Sequence, residues 1–101
     1  MGTEVCGTIA AVGPDVPVLN VGDRVVTANA DGAYAEYCLA PSDFVAYVPD
    51  SVPSDAIASA LLKGMTAHYL IKSVYQITPQ DTVLVHAGAG GVGLILTQWA
   101  T

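Results

Sequence analysis

The sequence predicts a mixed α/β chain, with part of a small antiparallel β barrel or sandwich first and helices with a strand–turn–helix unit after it. Three observations predict it. Short runs of branched residues alternate with Gly, Pro, Asn and Asp turn signals through residues 1–53. Apolar residues take up helical spacing after Pro53. A run of branched residues at 82–86 then leads into a cluster of glycines and a further apolar segment.

The elements follow in order. Residues 5–12 read as a strand that ends at the turn Gly13-Pro14-Asp15. Val21-Gly22-Asp23 leads into Arg24-Val25-Val26-Thr27, a short strand of high β-propensity. Asn29-Ala30-Asp31-Gly32 makes the next turn. Residues 33–40 and 44–48 read as two further strands, the second closed by Pro49-Asp50. Ser51, or Ser54 beside Asp55, can cap a helix, with acidic charge at its positive end. Ala56, Ile57, Ala60 and Leu61 fall on one helical face, Gly64 interrupts the pattern, and residues 66–75 resume it. Pro79-Gln80-Asp81 closes that region. Thr82-Val83-Leu84-Val85-His86 carries the composition of a parallel strand buried on both faces. A helix over residues 92–99 completes the strand–turn–helix pattern.

Composition narrows the function classes. The chain has 101 residues, 52% hydrophobic and 12% charged, which excludes disorder as its main state. Arg24, Lys63 and Lys72 face nine acidic residues, for a formal net charge of -6. Neither a nucleic acid backbone nor an anionic membrane is neutralised by such a chain, so neither is expected as a partner. Residues 82–101 lack charged side chains apart from the titratable His86, but four of the glycines, with Gln98 and several threonines, dilute any membrane span. No secretory signal opens the chain. Cys6 and Cys38 are too few for a disulfide scaffold; they fit a reducing cytoplasmic compartment, with a single bridge still open.

One motif carries specific chemistry. Gly88-Ala89-Gly90-Gly91-Val92-Gly93 satisfies GxGxxG directly after an expected strand and at an expected helix start. The first glycine permits the tight turn, the second admits a pyrophosphate close to the backbone, and the third lets helix and strand pack closely. Backbone N–H groups at the helix start then face the phosphates. The alternative is a turn that serves packing alone. An acidic ribose partner belongs about 20 residues beyond the motif, past Thr101. His68 and His86 lie in no metal-binding spacing and are expected to be structural. Neither cysteine has a neighbour that activates a thiolate. Lys63 and Thr66 bracket the Gly64 interruption, where polar groups can face a cleft, although Lys63 can equally be solvated.

Several segments together resemble one family: Gly2-Thr3-Glu4, Val21-Gly22-Asp23-Arg24-Val25, Gly32-Ala33-Tyr34-Ala35-Glu36-Tyr37, Leu62-Lys63-Gly64-Met65-Thr66-Ala67-His68-Tyr69-Leu70, and the run from Asp81 to Ala87 with its glycine turn. In that order they resemble zinc-free quinone oxidoreductases of the zeta-crystallin type, within the medium-chain dehydrogenase/reductase superfamily. The resemblance implies part of a GroES-like β-barrel domain over residues 1–53, followed over residues 54–101 by linking helices and the start of a Rossmann dinucleotide-binding domain. It implies NADPH as cofactor, a quinone or enone as substrate, and a homodimer for the longer form. Thr66 is then a contact near the nicotinamide, and Gly88, Ala89, Gly90, Gly91, Val92 and Gly93 form the cofactor-binding turn; no side chain is assigned a catalytic role. Zinc-dependent relatives have histidine where Thr3 stands and cysteine near Leu62, so no metal is expected. Gln80 departs from the glycine usual at that turn. Enoyl or enal reduction, and a non-catalytic crystallin-like product, are the alternatives.

A βαβ unit needs about 30 residues, and 20 follow Asp81. The chain is therefore expected to be a central fragment in which residues 82–86 have no parallel neighbour. Alone it is expected to show little or no quinone reduction.

Overall fold

A computed structural model describes residues 1–101. They form two compact units, Met1–Leu61 and Leu62–Thr101.

The first unit is built on three antiparallel strands: β1 (Val5–Thr8), β2 (Arg24–Thr27) and β3 (Ala46–Tyr47), in the order β1-β2-β3. Val5 pairs with Thr27 and Thr8 with Arg24 on one side of β2, while Val25 pairs with Tyr47 and Val26 with Ala46 on the other. Central position explains burial: Val26 and Thr27 are buried and join Ala30 and Val48 in a small core. The ladder runs past β1, because Ile9 N–H donates to Asp23 C=O and Gly22 N–H donates back to Ile9 C=O, both at 2.9 Å. Gly22, at φ 96°, supplies the left-handed conformation that this return requires. Tyr47 Oη donates to Val18 C=O at 2.6 Å and holds the long β1–β2 connection against the sheet.

The expected strand at 33–40 does not form. Gly32, at φ 71°, reverses the chain. Ala33 and Tyr34 then spend their N–H groups on Gly2 and Met1 carbonyls, and an isolated bridge, Asp31 to Leu39, is what remains of pairing. Tyr34, Tyr37 and Leu39 stay exposed. The expected strand at 44–48 is shortened to β3 by a 3-10 turn over Ser42–Phe44.

Helix α1 (Ser54–His68) ends the first unit and opens the second. Ser54 does not act as its expected cap; its hydroxyl accepts from the Arg24 guanidinium at 2.8 Å, which also donates to the carbonyls of Pro49 and Val52. Gly64 does not break α1. The surrounding residues favour a helix, and one internal glycine costs about 1 kcal/mol, too little to stop fifteen residues of continuous hydrogen bonding. The break comes later, in a π-helical turn over Tyr69–Val74 that closes with Tyr75 N–H donating to Leu70 C=O at 3.1 Å. Ala67 and Ile71 are the buried apolar residues of this unit.

Residues 82–86 form no strand either. They run without ladder partners, and Val83 and Leu84 are exposed. High β-propensity makes a strand only where another strand receives its hydrogen bonds. Helix α2 (Gly91–Trp99) ends the fold at the expected place. Its Trp99 lies 5.7 Å from the exposed His68, ring centre to ring centre, with the two rings tilted at 50°.

Candidate cofactor-binding turn

The turn before α2 is shaped by backbone geometry alone. Ala87 adopts φ 52°, a left-handed conformation that costs a residue with a Cβ about 1 kcal/mol. Gly90 N–H then donates to Ala87 C=O at 2.8 Å, and Leu94 N–H donates to Gly90 C=O at 2.8 Å, which starts the helix. Gly90 itself is extended, at φ -77° and ψ 164°.

The glycines divide by what surrounds them. A Cβ on Gly93 would lie 2.1 Å from Ala87 O and 2.8 Å from Gly88 Cα, so helix and turn can close this tightly only with glycine there. A Cβ on Gly90 would meet Ala87 O at 3.2 Å, while one on Gly88 would touch nothing nearer than 3.9 Å. Ala89, Gly90 and Gly91 are exposed, and Val92 is half-buried. No side chain caps the N-terminus of α2, so the N–H groups of its first turn have no intrahelical acceptor and open onto bare backbone. A helix start without a capping side chain, with its first N–H groups free of one, fits the diphosphate of a dinucleotide.

Thr66 sits on α1, where its hydroxyl donates to the Leu62 carbonyl at 2.9 Å. That bond holds the side chain against its own helix. Lys63, one turn earlier, reaches the glycine turn: a Cβ on Gly91 would lie 2.5 Å from Lys63 Cδ and 2.9 Å from Cε. The signal for this contact was the fourth glycine, which GxGxxG does not require.

The segment leading to the turn is pinned by Asp81. Its Oδ2 accepts from Thr78 N–H at 2.7 Å and from the Thr78 hydroxyl at 2.9 Å, and its Oδ1 accepts from Tyr75 Oη at 2.9 Å. These donors, the Thr78 N–H first, hold the Asp81 carboxyl below the usual carboxylate range. The same bond to Asp81 pushes the Tyr75 phenol up. Beside this loop lies an apolar cavity of about 560 Å³ whose walls include Leu70, Ile71, Val83, Leu84 and Leu96 but no residue from 88–93.

Charge is divided unevenly. Residues 1–61 hold Arg24 and eight acidic side chains, a formal -7, whereas residues 62–101 hold Lys63, Lys72 and Asp81, a formal +1. No group of three or more His, Cys, Asp or Glu side chains is arranged to hold a metal ion, and Cys6 and Cys38 are not bonded to each other. No helix is long and apolar enough to cross a membrane.

Comparison with known proteins identifies its relatives. The alcohol dehydrogenase GroES-like domain matches residues 1–50. The quinone oxidoreductase of Salmonella typhimurium is 43% identical over 101 residues, 99% of this chain and 31% of that protein. The solved structure of a mycobacterial quinone oxidoreductase superposes with a TM-score of 0.90 at 67% identity, over 98% of this chain and 31% of that one. Along its whole length the chain is similar to one part of the quinone oxidoreductases. The Escherichia coli member, solved in complex with NADPH, superposes with a TM-score of 0.91 at 41% identity, over 99% of this chain and 31% of its own. The chain thus spans about a third of the length of the family members it matches.

Proposed function

We propose that this chain supplies the diphosphate-binding turn of a zinc-free, NADPH-dependent quinone reductase. The observation that carries the reading is the uncovered start of α2, closed against Ala87 by a glycine that no other residue can replace. Residues 1–53 are the partial GroES-like domain and residues 54–101 the linking helices and first βα unit of the Rossmann domain. Gly88, Ala89, Gly90, Gly91, Val92 and Gly93 bind the cofactor phosphates, and Thr66 contacts it towards the nicotinamide. The protein is cytoplasmic, and the longer form works as a homodimer on small quinones.

When bound, NADPH supplies the reducing electrons. The chain's own part is to bind and orient: the N–H groups of residues 91–93 donate to no capping side chain and are available to phosphate oxygens. The resemblance implies that zinc-dependent relatives carry a histidine ligand where Thr3 stands and a cysteine ligand near Leu62, and neither Thr3 nor Leu62 offers an imidazole or a thiolate.

The test replaces the corresponding segment of the mycobacterial relative with residues 1–101 and follows NADPH absorbance with a simple quinone. The hybrid is expected to turn over, and Gly90→Val in it to weaken NADPH binding at least about tenfold with the fold intact, because the new side chain holds the diphosphate off the backbone. The 101-residue chain by itself is expected to fall at least about a thousandfold below the hybrid, since it cannot hold two reactants together in a closed cleft. Unchanged NADPH affinity in the Gly90→Val hybrid would overturn the assignment of the turn.

A further inference from the structure

We propose that Lys63 is a cofactor-binding residue, its ammonium held at the mouth of the glycine turn by an alkyl stem that lies in the space a side chain at Gly91 would fill. The inference rests on the diphosphate-binding reading of that turn and adds a cation to it.

The argument starts from a glycine that the motif does not explain. Of the four glycines in 88–93, Gly88, Gly90 and Gly93 occupy the motif's glycine positions, and Gly91 occupies one where any residue is allowed. Its backbone does not need glycine, since it is not among the positive-φ residues. What lies over it is a lysine side chain, which glycine lets approach this closely. A Cβ there would lie 2.5 Å from Lys63 Cδ, 2.9 Å from Cε and 3.3 Å from Cγ, so three successive methylenes of Lys63 pass over the bare Cα. Lys63 is half-buried, and the packed stem restricts where its ammonium can lie. One bond separates Nζ from Cε, which places the charge beside the first residue of α2.

That position adds to the field already there. The first turn of α2 offers N–H groups and the positive end of the helix dipole. A point charge beside them strengthens the attraction for an anion and forms a charge-assisted bond with phosphate oxygen. Cations are scarce in this chain, which has three, and the Arg24 guanidinium is committed to Pro49, Val52 and Ser54. Lys63 and Lys72 make residues 62–101 the only unit with a formal positive balance.

The experiment follows the backbone amide signals of residues 88–93 by NMR during NADPH titration of the 101-residue chain, at concentrations that register millimolar binding. Lys63→Met keeps the stem and removes the charge; it is expected to weaken binding about tenfold and to flatten its salt dependence. Lys63→Arg is expected to recover most of the affinity. Gly91→Ala displaces the stem while leaving the lysine, so it is expected to weaken binding as well, and the Lys63→Met/Gly91→Ala pair to bind no worse than Lys63→Met. Amide dispersion verifies the fold of each variant. If the turn signals respond to NADPH and Lys63→Met binds with wild-type affinity and salt dependence, the role of Lys63 is overturned while the turn assignment stands. If the turn signals of the unaltered chain do not respond at all, both fall together.

Discussion

Two four-residue runs of nearly the same composition end in opposite states. Arg24-Val25-Val26-Thr27 becomes the central strand of a three-stranded sheet, with Val26 4% exposed. Thr82-Val83-Leu84-Val85 forms no strand, and its Leu84 is 81% exposed. Intrinsic preference for extended backbone is equal in the two. The difference lies in what stands beside them: the first has β1 and β3 to accept and donate its ladder bonds, the second has nothing paired to it. A strand is a property of a pair, and propensity selects among candidates only after the pair exists.

Paired substitutions sharpen that comparison. Val26→Ala is expected to cost about 2 kcal/mol, because it empties part of a small core whose other apolar members are Ala30 and Val48. Leu84→Ala removes a larger side chain yet is expected to stay within about 0.5 kcal/mol, because that side chain is already in water. Urea unfolding of the two variants measures both. A cost for Leu84→Ala equal to that of Val26→Ala would show that residues 82–85 are buried in solution and would break the contrast.

The same distinction sorts what the amino-acid sequence disclosed. Strands β1 and β2, the start of α2 and the glycine turn were legible because short-range signals and tertiary structure agree there: turn residues flank the strands, and Gly93 meets a steric demand that no other residue satisfies. Residues 33–40 form no strand because they have no ladder partner, which no local pattern reveals; for residues 82–86 the missing parallel neighbour is legible in the short span after Asp81, although their composition alone still reads as a strand. Gly64 interrupts the apolar spacing but not the helix, because the fourteen other residues of α1 outweigh one glycine. The seat of Lys63 was half legible: the lysine drew notice, but its contact with Gly91 joins residues 28 positions apart.

Gly64 yields the next expectation. A Cβ there would meet nothing within 4 Å outside its own helix, and the backbone is helical, so the glycine contributes only conformational freedom to the unfolded chain. Gly64→Ala is expected to stabilise the protein by about 0.5–1 kcal/mol. A thermal unfolding scan reads this as a rise in Tm. A fall in Tm would mean that α1 is not continuous through residue 64, as the interruption of its apolar spacing predicts.

The smallest expected effect is that of pH on the Asp81 loop, and its sign differs at the two ends. The folded chain holds the Asp81 carboxyl below its ordinary range, chiefly through Thr78 N–H and then the Thr78 and Tyr75 hydroxyls. Its contribution to stability is therefore present above the ordinary carboxylate range and is lost as pH falls through the lowered folded value. Tyr75 behaves in the opposite sense. Its hydrogen bond to Asp81 raises the folded phenol, so that contribution is present below the ordinary phenol range and is lost as pH rises through the raised folded value. Both groups are solvent-accessible, and water and salt keep each effect slight. NMR titration of the Asp81 carboxyl carbon in the native chain and in Tyr75→Phe checks the shared bond: losing the phenol donor is expected to move the Asp81 titration upwards, though not all the way to an unperturbed carboxylate, because the two Thr78 donors remain. An Asp81 titration that Tyr75→Phe leaves unchanged would mean that the Tyr75 bond is not formed in solution, and that Thr78 alone holds the approach to the glycine turn.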